Sequence, residues 1–167
     1  MAYGNPLRGD DGLAWRAADM LEQKLPEIRV LRLHQLAPEI AEDLGRCEAV
    51  VFVDAAATGS PGEIRVRELA PGADRSAEDL MCFHQFSPAT VLAMASRLYG
   101  ARPRAFVATL SGEEFDHSES LSHAVAASMP EFVDRIEARI RRIARELEGK
   151  SDASVTDSTP PVGREGF

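Results

Sequence analysis

Two stretches of this chain limit its fold more than any others. Ala49-Val50-Val51-Phe52-Val53 and Ala105-Phe106-Val107-Ala108-Thr109-Leu110 are apolar almost throughout, with no alternation of polar and apolar positions. A strand apolar on both faces has to be covered on both faces, which places it inside a parallel sheet with helices packed on each side. The segments before, between and after them have the matching helical pattern. Leu13 to Leu25 carries Leu13, Ala17, Met20 and Leu21 at helical spacing and stops at Pro26. Pro38 opens a second helix, with Ile40, Ala41 and Leu44 inward and Gly45 closing it. Ser87-Pro88 reads as the cap and first position of a third, whose buried face is Val91, Leu92, Ala95, Leu98 and Tyr99 and whose end is Gly100. The last helix covers Leu121 to Leu147 on a stripe of Phe132, Val133, Ile136, Ile140, Ile143 and Leu147, with Pro130 a candidate point of interruption.

Two further strands complete the pattern. Ile28, Val30, Leu31 and Leu33 make a short one. Glu63 to Leu69 alternates strictly between charged and apolar residues, which marks a half-exposed edge strand; the short turn at 58–62 makes it antiparallel to its predecessor. The expected fold is α/β: three layers, a mostly parallel twisted sheet with one antiparallel edge strand, and helices on both faces. Residues 1–149 form a single domain. Residues 150–167, rich in Ser, Thr, Pro, Gly and Asp, have little to bury and are expected to be a disordered tail.

Bulk properties exclude several functions. The 167 residues carry a net charge of -8, which argues against a nucleic-acid binder relying on phosphate contacts. No apolar run is long enough to span a bilayer and the start has no signal-peptide pattern, so no membrane role is expected. Cys47 and Cys82 are far apart, outside any metal or disulfide spacing, as in a protein of the reducing cytoplasm.

The chemistry is expected where the strands end. In open α/β sheets ligands bind beyond the carboxyl ends of the strands. Three groups fall there: the acidic pair Asp10-Asp11, closing the turn-rich loop Gly4-Asn5-Pro6-Leu7-Arg8-Gly9-Asp10-Asp11-Gly12; Asp54, directly after the apolar run; and His84, in the loop before the third helix. The acidic pair has two readings, helix N-cap with a spare acid or acidic ligand presented at the sheet edge. Asp11, Asp54 and His84 together offer two oxygens and one nitrogen, a donor set that suits nickel or zinc. Phosphate-binding glycine loops, nucleophile elbows and zinc-protease motifs are absent. Cys82 reads as a small buried hydrophobe, Glu113 and Glu114 as solvated charges and His123 as structural. His117 is balanced between substrate contact and solvated loop, and Arg8 between a substrate carboxyl terminus and surface solubility. Trp15 is a core or rim anchor.

The opening loop, followed by Val53-Asp54-Ala55 and by His84-Gln85 before a helix, resembles the hydrogenase maturation protease family. His34-Gln35-Leu36 with Pro38-Glu39 resembles one branch of it. The resemblance implies an endopeptidase that removes the C-terminal peptide of a nickel–iron hydrogenase large-subunit precursor after nickel insertion. Asp11, Asp54 and His84 then match the family's metal-contacting and catalytic positions. Nickel is implied as cargo of the precursor rather than as a resident cofactor. A proton-sharing pair of Asp11 and Asp54, as in aspartic proteases, is a rival mechanism; a non-catalytic metal-sensing or maturation scaffold of flavodoxin-like fold is a rival function. Two departures from the family are expected to matter. Ser118 stands where glycine is expected. Only Met1-Ala2-Tyr3 precede Gly4, where the family has an apolar central strand, and three residues span at most ~10 Å. That first strand is therefore expected to be truncated here, with the natural protein starting several apolar residues earlier.

Overall fold

The structure, a computed structural model, describes residues 1–69 and 86–155, with 150–155 as backbone only. Among the described residues five strands form one sheet in the order β2-β1-β3-β5-β4. They are β1 (Ala2–Tyr3), β2 (Arg32–Leu33), β3 (Ala49–Ala56), β4 (Ile64–Leu69) and β5 (Arg104–Ser111), and the helices are α1 (Leu13–Lys24), α2 (Ile40–Leu44), α3 (Pro88–Tyr99) and α4 (His123–Val155). The two apolar runs pair in parallel along their whole length, from Ala49↔Arg104 to Ala56↔Ser111, and form the sheet's centre. One core lies between the sheet and α1 with α4, around Leu13, Leu21, Val53, Leu110, Phe132 and Ile136. The other lies between the opposite face and α2 with α3, around Leu44, Phe52, Val91, Ala95 and Val107. The three layers and helices on both faces are those expected. Among the described residues no helix is long and apolar enough to cross a membrane.

The structure departs from the sequence reading in several places, each with a physical cause. The edge strand β4 runs antiparallel to the sheet, but its hydrogen-bonded neighbour is β5 rather than β3. A short connection constrains direction; it leaves adjacency to packing, and here β5 lies between β3 and β4. The second strand is only Arg32–Leu33, since its neighbour β1 offers two residues, paired Ala2↔Arg32 and Tyr3↔Leu33. Pro130 does not interrupt α4. It sits on the solvent side of the helix, as does Ala126, whose carbonyl it deprives of a donor. Leu98 and Tyr99 are 64% and 52% exposed, so the buried face of α3 ends before its last turn. Ser87 caps α3 through its Oγ, which accepts from the Thr90 N–H, and Gly100 closes it at φ 67°. Of the tail expected over 150–167, residues 150–155 continue α4 and the rest lie outside the described residues.

Candidate active site

At its carboxyl end β3 reaches Asp54, whose Oδ1 accepts a 2.8 Å hydrogen bond from the Ala55 N–H. One step beyond the Ala2↔Val53 pairing, Tyr3 lies across from Asp54, and its hydroxyl donates to the carboxylate. Burial dominates the electrostatics and raises the Asp54 pKa to about 7; the Tyr3 and Ala55 bonds oppose the rise, and the nearby Asp11 charge adds to it. Asp54 is therefore poised between protonated and ionised near neutral pH. Tyr3 was not singled out from the sequence. The available signal was its position, the last strand residue before the glycine loop.

The loop after β1 brings Asp11 back to this place. Gly4 has φ 140°, and a Cβ there would lie 2.1 Å from the Asp11 carbonyl oxygen, so this close return of the chain requires glycine. Asn5 then organises the turn. Its N–H donates to Asp11 Oδ2 at 2.8 Å, its side-chain oxygen accepts from the Leu7 N–H at 3.0 Å, and its carbonyl accepts from the Arg8 N–H at 3.0 Å. Gly9–Gly12 follows as a 3₁₀ turn leading into α1, whose cap is Gly12 with no side-chain bond. Neither aspartate caps the helix, which removes the first of the two readings of the pair.

Asp10 and Asp11 divide the work instead. Asp10 is wholly buried. Its Oδ2 accepts from the N–H groups of Glu113 (2.9 Å) and Glu114 (3.0 Å), and its Oδ1 from the Ser122 N–H (2.8 Å). Burial alone would raise its pKa, but these backbone donors and the Ser122 hydroxyl outweigh it and hold the carboxyl below the ordinary range. Asp10 thus ties the loop after β5 to the opening loop. The same seam contains Asp10 N–H to Glu114 carbonyl (2.8 Å), Gly9 N–H to Ser118 carbonyl (2.7 Å) and Ser118 N–H to Leu7 carbonyl (3.0 Å). Arg8 Nε donates to the Phe115 carbonyl at 3.2 Å and Arg16 to the Glu119 carbonyl. Arg8 is thereby part of the seam. Ser118, in the place expected of glycine, turns its own loop: its Oγ accepts from the Ser120 N–H at 3.0 Å.

The other candidates fall as follows. His117, Glu113, Glu114 and His123 are exposed. Trp15 is a rim anchor: its Nε1 donates to the Leu33 carbonyl at 3.1 Å and its ring lies 5.3 Å from that of His34. His84 and Cys82 lie outside the described residues. Among the described residues no three His, Cys, Asp or Glu side chains gather closely enough to hold a metal ion; Asp11 and Asp54 are the two site carboxylates in view.

No family model matches the chain, and no curated protein does. Solved structures do match. The hydrogenase maturation protease HycI from Thermococcus kodakarensis is 19% identical, with a TM-score of 0.61 over 82% of this chain and 87% of that one. The hydrogenase maturating endopeptidase HybD from Escherichia coli is 19% identical, with a TM-score of 0.58 over 84% and 90%. The hydrogenase 2 maturation peptidase from a Thaumarchaeota archaeon is 24% identical, with a TM-score of 0.57 over 83% and 94%. The chain therefore has the fold of the hydrogenase maturation proteases.

Proposed function

We propose that the chain is an endopeptidase that removes the C-terminal peptide of a nickel–iron hydrogenase large-subunit precursor after nickel insertion, recognising the metal the precursor already carries. The observation supporting it is the approach of Asp11 to the half-buried Asp54 at the carboxyl end of β3, in a fold shared with hydrogenase maturation proteases. In this reading Asp11, Asp54 and His84 engage the precursor's nickel. Two carboxylate oxygens and an imidazole suit that ion and leave coordination positions for the substrate. Nickel held there fixes the scissile bond beside it and polarises the carbonyl or a water. The metal is cargo of the substrate, and a cytoplasmic location goes with the reading.

One observation favours a second mechanism in the same class. Asp54 is raised to about 7 beside Asp11, the behaviour of a carboxylate pair sharing a proton and acting on water. Mass spectrometry of nickel-loaded and nickel-free precursor, before and after incubation with the protein, separates the readings. Trimming of the loaded precursor alone is the expected result. Equal trimming of both assigns the chemistry to the carboxylate pair. Binding with no change of mass in either overturns the endopeptidase reading in favour of a maturation scaffold.

A further inference from the structure

Successive residues of a strand point to opposite faces of the sheet. In β3, Phe52 packs into the core beneath α2 and α3, and Val53 into the core beneath α1 and α4. Asp54 therefore returns to the α2–α3 face. In β1, Ala2 belongs to the α1–α4 core and the Tyr3 ring packs against the other one. Because Ala2 is paired with Val53, Tyr3 and Asp54 stand side by side on one face of neighbouring strands. The tyrosine hydroxyl reaches the carboxylate from there.

The tyrosine is itself held. On either side of it the Ala2 N–H donates to the Leu31 carbonyl at 2.8 Å and the Gly4 N–H to the Leu33 carbonyl at 3.1 Å. Its ring is partly buried against the α2–α3 core. The hydroxyl thus meets Asp54 from a rigid support. The Ala55 N–H on Asp54 Oδ1, at 2.8 Å, comes from the next residue in the chain and moves with it. The Tyr3 bond instead ties the side chain to a different strand. Asp11 is held from the same stretch of backbone. Gly4 lets the chain return close to Asp11, and the Asn5 N–H donates to Asp11 Oδ2 at 2.8 Å. Tyr3, Gly4 and Asn5 are consecutive, so one short segment sets both carboxylates.

We propose that Tyr3 is a positioning residue for precursor cleavage: its hydroxyl holds the Asp54 carboxylate at a fixed orientation relative to Asp11, so that the pair meets the scissile bond already aligned. The role rests on the endopeptidase reading and holds for either of its mechanisms, since nickel ligation and shared-proton chemistry both need two carboxylates at a set spacing. Tyr3 touches neither substrate nor metal in this role and keeps its proton throughout; it acts through Asp54. Loss of the hydroxyl removes alignment and leaves the precursor's other contacts in place, so the cost falls on kcat rather than KM.

Tyr3→Phe keeps the ring and its packing and deletes only the hydroxyl. With nickel-loaded precursor, kcat for trimming should fall about tenfold or more while KM stays within about twofold. Amide exchange followed by NMR gives a readout that needs no precursor. Exchange at Ala55 should quicken about tenfold, because its acceptor is no longer tied to β1, while exchange at Asp10, bonded to the Glu114 carbonyl, stays as in the wild type. Full kcat in Tyr3→Phe protein, a loss confined to KM, or unchanged exchange at Ala55 overturns the proposal and leaves the endopeptidase reading standing. Equal acceleration at Ala55 and Asp10 marks a general loosening of the fold and overturns it too. A wild-type protein that trims no precursor overturns the endopeptidase reading, and the catalytic role of Tyr3 with it, whatever the exchange at Ala55.

Discussion

Adjacent in sequence, Asp10 and Asp11 are opposite in duty, and single substitutions should separate them. Asp10 is buried with three backbone N–H groups aimed at its oxygens. Asp10→Ala leaves those donors unsatisfied, so stability should fall by on the order of 3 kcal/mol, read as a lower urea midpoint. Asp11 is only partly buried and accepts one bond, from the Asn5 N–H. Asp11→Ala should cost about 1 kcal/mol while reducing precursor trimming by about 100-fold or more. A stable Asp10→Ala protein, or a fully active Asp11→Ala protein, would mean that the two roles have been assigned to the wrong neighbours. The sequence showed an acidic pair after a turn-rich loop. It held no sign of which acid turns inward, because Asp10's donors come from residues 113, 114 and 122, brought near only by the completed sheet.

At the scale of elements, local pattern was a good guide wherever local energetics decide. The unbroken apolar runs became the central strands, the Ser87-Pro88 start and Gly100 stop bounded α3, and strict alternation marked the edge strand β4. The failures came where a neighbour decides. Which strand lies beside β4, how much of 28–33 joins a ladder, and how far along α3 the core extends all depend on surfaces that periodicity does not encode. Of the candidate site, Asp11 and Asp54 were legible as acids at strand ends. The Tyr3 bond to Asp54 was not, since it arises from register. Pro130 gives an element-scale prediction. It is the eighth residue of α4, in its interior, and leaves the Ala126 carbonyl without a helical donor. The helix continues through it without a break, so the backbone is already helical where the bond is missing. Pro130→Ala should stabilise the protein by about 1–3 kcal/mol, seen as a higher melting temperature. A lower one would mean that the proline's rigidity in the unfolded chain outweighs the restored bond.

For the whole molecule, Asp10 and Asp54 act in opposite directions on the pH dependence of stability, and the sign of each follows from its surroundings. Asp10 is held below the ordinary carboxylate range by its backbone donors. At low pH the unfolded chain protonates this group before the folded one does, so its contribution is present above the unfolded pKa and is lost as pH falls through the folded one. Asp54 is raised from 3.8 to about 7 by burial. Between those values the folded protein binds a proton that the unfolded chain has released, so stability falls as pH rises from about 4 to about 7. Ionising this aspartate inside the site costs folding free energy, a cost that a cation bound beside Asp54 and Asp11 relieves. The stability curve should therefore decline on both sides of a maximum in the acidic range. In Asp54→Asn protein the descent toward neutral pH should flatten, because the amide does not titrate, while the acid limb set by Asp10 stays. Urea denaturation of both proteins at intervals from pH 4 to 8 measures this. A wild-type descent that survives unchanged in Asp54→Asn would place the titrating group elsewhere and leave Asp54 ionised throughout. The proton-sharing mechanism would then lose its basis, and the metal-directed one would remain.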